Sequence, residues 1–207
     1  MNDSNNKFDY TSGNYLNRVY LSLLALNKVD KDQLLAIDVF SKALYELLYA
    51  ATVTGIEEYL QERLINEVFA SEESKKKYVE TFNHNFRRKS TNQQKTLFPL
   101  KEDDEEGIRD SLFNKQVYHR LDIICNYFTK ISNFDVTQCP SWEPMKKVIE
   151  RRHIIIHHGS RDVNGNRIKL APYEVTQTHE LANKFINEVE AAFVKAGGNP
   201  LIINLAE

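Results

Sequence analysis

Between Leu34 and Phe69 apolar residues return every third or fourth position, and no proline interrupts them. That spacing gathers Ile37, Phe40, Leu44, Leu47, Leu48 and Ala51 on one helical stripe, which Ile56, Leu60, Leu64 and Val68 continue. Gly55, in the middle, marks a kink or the close approach of another helix. Sheet sandwiches and barrels need turn residues about every eight to twelve positions. The 207 residues here hold only seven glycines and five prolines, which argues against them. With 42% hydrophobic residues the chain has the apolar content for a real core rather than a long disordered tract.

The rest of the chain follows suit. Tyr15 to Val29 reads as a first helix through Leu16, Val19, Tyr20, Leu23 and Leu24, with Asp30 or Asp32 able to cap the next. Tyr78, Phe82 and Phe86 predict a shorter helix over Lys75 to Phe86. Ser90 to Gly107, polar and ending in the acidic run Glu102 to Glu106, reads as a long surface loop. Ile108, Leu112, Leu121, Ile124, Phe128 and Ile131 then recur at helical intervals. Ser141 is placed to cap a helix running to about His158, anchored by Trp142, with Pro144 tolerated in its first turn and Gly159 as its stop. Asn164-Gly165 is a turn signal, hence a short hairpin near residues 162–170. Leu181, Phe185, Val189 and Phe193 mark a last helix closed by Gly197-Gly198. The expectation is an all-α antiparallel helical bundle, with residues 1–14 as a flexible polar tail and 15–207 as one helical domain.

Several functions are disfavoured at this level. Lys+Arg 27 against Asp+Glu 29 gives a formal charge of -2, so nucleic acid would have to be met by a local patch. Cys125 and Cys139 are too few for a disulfide scaffold or a four-thiolate zinc site. The longest strongly apolar run, Val19 to Leu26, is far short of a membrane span. The first residues lack the apolar stretch of a signal peptide, so a cytoplasmic protein without membrane partners is expected. A Gly-rich phosphate loop and a nucleophile elbow are both missing, which removes the commonest nucleotide-binding and hydrolase folds.

Titratable groups concentrate in one place. Glu150-Arg151-Arg152-His153-Ile154-Ile155-Ile156-His157-His158-Gly159-Ser160-Arg161 holds three of the six histidines. On a helix, His153 and His157 sit one turn apart and about 40° around, with Glu150 on the same face. Arg151 and His158 share another face, about 20° off alignment. Arg152 and His157 lie about 140° apart and converge only through the length of the arginine or a bent final turn. Two chemistries suit such a cluster. In metal-free phosphoryl chemistry the arginine holds the phosphate and a histidine moves the proton; RNA brings its own 2′-hydroxyl nucleophile. Alternatively, His153 and His157 with Glu150 form a transition-metal clamp. The pair lacks the adjacent glutamate of the zinc-protease pattern, and no second pair supports it, so neither metal nor cofactor is expected. Spacing alone carries little weight, because with ten arginines and six histidines an arginine five places before a histidine arises by chance in roughly a third of such chains. Context adds more: the cluster closes the penultimate helix of an all-α chain.

In that context Arg152-His153-Ile154-Ile155-Ile156-His157 resembles the signature of the HEPN superfamily (higher eukaryotes and prokaryotes nucleotide-binding). That signature is an arginine, usually a polar residue, three variable residues and a histidine; a glycine soon after, here Gly159, occurs in several branches. Thr54-Gly55-Ile56-Glu57-Glu58-Tyr59-Leu60 is similar to a segment of an earlier helix in several of these families. The tyrosine two places after the histidine in HEPN toxins paired with nucleotidyltransferases is Gly159 here, which sets the chain apart from that branch. The resemblance implies a metal-independent endoribonuclease, acting as a homodimer whose signature helices meet in a composite site. It implies a toxin or antiviral defence effector, held by an antitoxin or other regulatory protein. His157 would serve as general base or acid and Arg152 would stabilise the scissile phosphate. His153, Glu57, His158 and Arg151 would support them, and Lys146, Lys147 and Arg161 would contact RNA. The same resemblance admits a catalytically silent module that dimerises or binds a nucleotide or protein. The runs Lys75-Lys76-Lys77 and Arg87-Arg88-Lys89 could guide RNA electrostatically, although charge runs are usually solvated faces.

Overall fold

The computed structural model describes residues 18–23, 38–89, 99–116, 118–158, 160–162, 164–198 and 201. The expected tail over residues 1–14, Asp30, Asp32, residues 90–98 of the expected loop, and Gly159 lie outside them. Among the described residues the fold is all-α. Residues 18–23 are helical. After them come α1 (Asp38–Val68), α2 (Glu72–Lys89), α3 (Glu105–Asp110), a π-helical turn (Ser111–Lys115), α4 (Leu121–Ser132), a 3-10 turn (Val136–Gln138), α5 (Trp142–His157) and α6 (Pro172–Lys195).

The long helix α1 packs against α2, α4, α5 and α6. Its sequence explains this position. Tyr49, Val53, Ile56, Tyr59, Leu60, Leu64 and Val68 are all buried, and they spread over more than one face, as in a helix surrounded by others. Each such side chain contributes about 1.5–3 kcal/mol by leaving water. The helix runs unbroken through Gly55, which is buried. The Thr52 and Thr54 hydroxyls donate back to the carbonyls of Leu48 and Ala50 at 3.0 and 3.1 Å, so neither hydroxyl goes unmet inside the packing. Leu47 departs from the expected stripe and is 64% exposed. The buried side at that level belongs to Leu44, Leu48 and Ala51, which meet Val19, Leu23 and the α6 residue Val175. On the helix Leu47 lies about 100° from Leu48 and about 60° from Leu44, at the outer edge of that side.

A charged cluster is embedded in this core. Arg63 is fully buried. It pairs with Glu67 at 2.5 Å and with Glu190 of α6 at 3.3 Å, and its guanidinium carbon lies 3.9 Å from the centroid of the Phe193 ring. Glu190 also accepts from the Tyr59 hydroxyl at 2.7 Å and the Leu201 N–H at 2.8 Å. The Ser132 hydroxyl, at the end of α4, donates to Glu67 at 2.6 Å. One cation thus ties α1, α4 and α6 together.

Three local expectations need correction. The acidic run is only partly loop: Asp104 caps α3 by accepting the Gly107 N–H at 2.8 Å, and Glu105 pairs with Lys75 at 3.1 Å. Lys75 is buried between Glu72 and Glu105, and Lys77 pairs with Glu73 at 2.8 Å. Two of these three lysines are therefore paired with neighbouring carboxylates. The helical spacing from Ile108 to Ile131 also conceals a break. After the π-helical turn the backbone becomes extended at Gln116, whose amide donates to the hydroxyls of Tyr78 and Tyr127 at 3.1 and 3.0 Å. Finally, Ser141 precedes α5 but does not cap it; its hydroxyl and N–H both donate to Glu188 of α6, at 2.5 and 2.9 Å.

Candidate functional site

The start of α5 is fastened by that Ser141–Glu188 contact and by buried Trp142, Met145 and Ile149. The same helical face passes through position 152 before reaching buried Ile155. An arginine therefore stands where the stripe calls for an apolar side chain. Arg152 is half-buried, and its Nε is buried with no hydrogen-bond partner among the described residues. Among the described residues it has no carboxylate partner.

Arg152 lines a cleft of about 620 Å³ between α5 and the turn that opens α4. Ile123, Ile149 and Ile154 give the cleft apolar walls, and His119, Arg120, Glu150, Arg152 and His153 line it with polar groups. The His153 ring lies 4.7 Å from that of His157 and 5.5 Å from that of His158, centroid to centroid. All three histidines are exposed. His153 therefore sits between Arg152, in the cleft, and the outermost imidazoles. The structure brings Arg152 and His153 to one cleft and sets His157 beside His153, outside the cleft lining.

Arg151 has different neighbours. Its Nη1 donates to Glu174 at 2.8 Å and its Nη2 to the Lys169 carbonyl at 3.3 Å. Burial alone would raise Glu174, but the Ala171 N–H and the Arg151 guanidinium outweigh it and hold this carboxyl below its usual range. The Tyr49 ring lies beneath Arg151, 5.8 Å from centroid to guanidinium carbon. Burial pushes the Tyr49 phenol up to about 12, against the pull of Arg151. Arg151 thus fastens α5 to the start of α6 and to α1.

The remaining expected residues divide in the same way. Exposed Lys146 falls on the His153–His157 face by helical spacing. Lys147 lines a separate depression with Tyr49, Arg151 and Glu174. Arg161 donates to the Gly165 carbonyl at 2.8 Å. It forms an antiparallel bridge with Arg167, so the expected hairpin exists as a single bridge. Ser160, at φ 58°, supplies the left-handed turn between α5 and that hairpin. The side chains of Arg87, Arg88 and Lys89 are not among those described.

Glu57, expected to reach the α5 cluster, turns instead to a residue that the sequence reading passed over. Its Oε1 lies 3.8 Å from Nδ1 of His119, beyond hydrogen-bonding range, and is buried without a hydrogen-bond partner among the described residues. Next to it, burial and the carboxylates of Glu62 and Glu57 push Glu58 up. His119 belongs to no motif; it follows the extended backbone at Gln116 and lies in the turn just before α4.

Among the described residues no group of three or more potential ligands could hold a metal ion, and no helix is long and apolar enough to cross a membrane. No family model matches the chain, and no curated protein or solved structure matches it either.

Proposed function

We propose that this chain is a metal-independent endoribonuclease of the HEPN type, working as a homodimer in which the α5 helices of two copies meet. The observation that carries the reading is the half-buried Arg152 guanidinium, without a carboxylate partner among the described residues, at the edge of a cleft shared with His153 and next to His157. Leaving a cation partly desolvated and unpaired costs stability, several kcal/mol where burial is complete. A phosphodiester is the anion that would offset this, and a planar guanidinium can hold two of its oxygens at once.

In this reading Arg152 binds the scissile phosphate and neutralises charge as the 2′-oxygen attacks. His157 takes the proton of the 2′-hydroxyl, and His153 positions the phosphate between them. The products are a 2′,3′-cyclic phosphate and a 5′-hydroxyl. Ile156 supports the dimer, because a large apolar side chain next to His157 is left 45% exposed. A role as toxin or defence effector, restrained by a regulatory protein, belongs to the same proposal.

Purified protein should cleave RNA in EDTA and leave cyclic phosphate ends. His157→Ala should lose about 100-fold or more. Full cleavage by this variant would overturn its assignment. A wild-type protein that cuts nothing would leave only the silent binding module.

A further inference from the structure

The next inference rests on the ribonuclease reading of Arg152 and His157. Transesterification needs two proton movements, one off the attacking 2′-hydroxyl and one onto the departing 5′-oxygen. Arg152, His153 and His157 all belong to α5, Arg152 and His153 lining the cleft and His157 standing beside His153. Across the same cleft stands His119, its side chain 41% exposed. Behind it the α1 residue Glu57 brings its buried, unpartnered Oε1 to 3.8 Å from the His119 Nδ1. Approach to about 3.0 Å would make this a hydrogen bond. It would fix the imidazole's orientation and leave Nε2 for the cleft, as a carboxylate behind a catalytic histidine does.

We propose that His119, held by Glu57, is the general acid that protonates the leaving 5′-oxygen. As the 2′-oxygen bonds to phosphorus, His157 accepts its proton. The bond from phosphorus to the 5′-oxygen breaks with its electron pair on oxygen, and that oxygen takes a proton from the His119 imidazolium. The two imidazoles end with exchanged protonation states, which solvent resets, and no co-reactant is consumed. The charged groups facing His119 are Glu57 from α1, Arg120, and Glu150, Arg152 and His153 across the cleft. Arg120 is already paired with Asp122 at 3.0 Å.

The test compares two substrates in single-turnover cleavage with EDTA. One RNA carries an ordinary linkage. The other carries sulfur in place of the bridging 5′-oxygen, whose thiolate departs without a proton. His119→Ala should cut the ordinary RNA about 100-fold more slowly than wild type and cut the sulfur-bridged RNA within about threefold of it. The pH–rate profile on the ordinary RNA should lose its alkaline limb, where the acid deprotonates. Glu57→Gln should show the same pattern with a smaller loss, about tenfold. His119→Gln serves as a second variant if the alanine protein fails to fold. Equal losses on both substrates, or no loss on either, would overturn the role of His119. Wild-type protein that cuts neither RNA would instead sink the ribonuclease reading beneath it.

Discussion

Arg63 and Arg152 are both set into helix packing, and they differ in their surroundings. Arg63 lies between Glu67 and Glu190 and over the Phe193 ring. Arg152 interrupts an apolar stripe and meets no carboxylate among the described residues. A buried cation with two anions around it fastens helices and has no reason to seek a ligand. A half-buried cation without one lowers stability, and such a residue is explained when an anion arrives from outside. Arg151 provides the internal control, one position from Arg152 yet paired with Glu174.

The largest effect expected from this contrast is on folding. Arg63→Ala leaves Glu67 and Glu190 facing each other without their cation, and should cost about 3–5 kcal/mol in denaturant unfolding. Arg152→Ala should change stability by less than about 1 kcal/mol while lowering RNA cleavage about 100-fold to 1,000-fold. Comparable destabilisation by the two variants would erase the distinction. Arg151→Ala should cost about 1 kcal/mol, since its pair with Glu174 is partly exposed, and should leave cleavage within about threefold. The smallest effect is in acid. The Glu174 carboxyl is held below its ordinary value, so its contribution is full above the unfolded-state value of about 4.3. That contribution disappears as pH falls through the lower folded value. The stability gap between wild type and Glu174→Gln should therefore close in acid melts below about pH 4; a gap that widens there would contradict the assignment.

Much of the helical layout could be read from spacing alone, because burying a stripe repeats every three or four residues regardless of what covers it. Spacing failed where partners come from elsewhere in the chain. Leu47 has the residue type of its stripe but not its neighbours, and Ser141 has the residue type of a cap but donates to Glu188, 47 positions on. At the site, the cluster over residues 150–161 was visible as a motif, with Arg151 and Arg152 side by side in it. Only the fold tells Arg151 from Arg152, through Glu174, 23 residues away. Glu57 was legible as a candidate, yet its neighbour His119 was not. That histidine arrives through the extended backbone at Gln116, which the unbroken apolar rhythm of the sequence hides.

The most direct measurement places three proteins side by side: wild type, Arg151→Ala and Arg152→Ala, each given the same RNA in EDTA under single-turnover conditions. Wild type and Arg151→Ala should cut it at similar rates and Arg152→Ala should be nearly inert while melting like wild type. Equal cleavage by all three, or loss confined to Arg151→Ala, would contradict the claim that the Arg152 guanidinium, rather than the one paired with Glu174, works on phosphate.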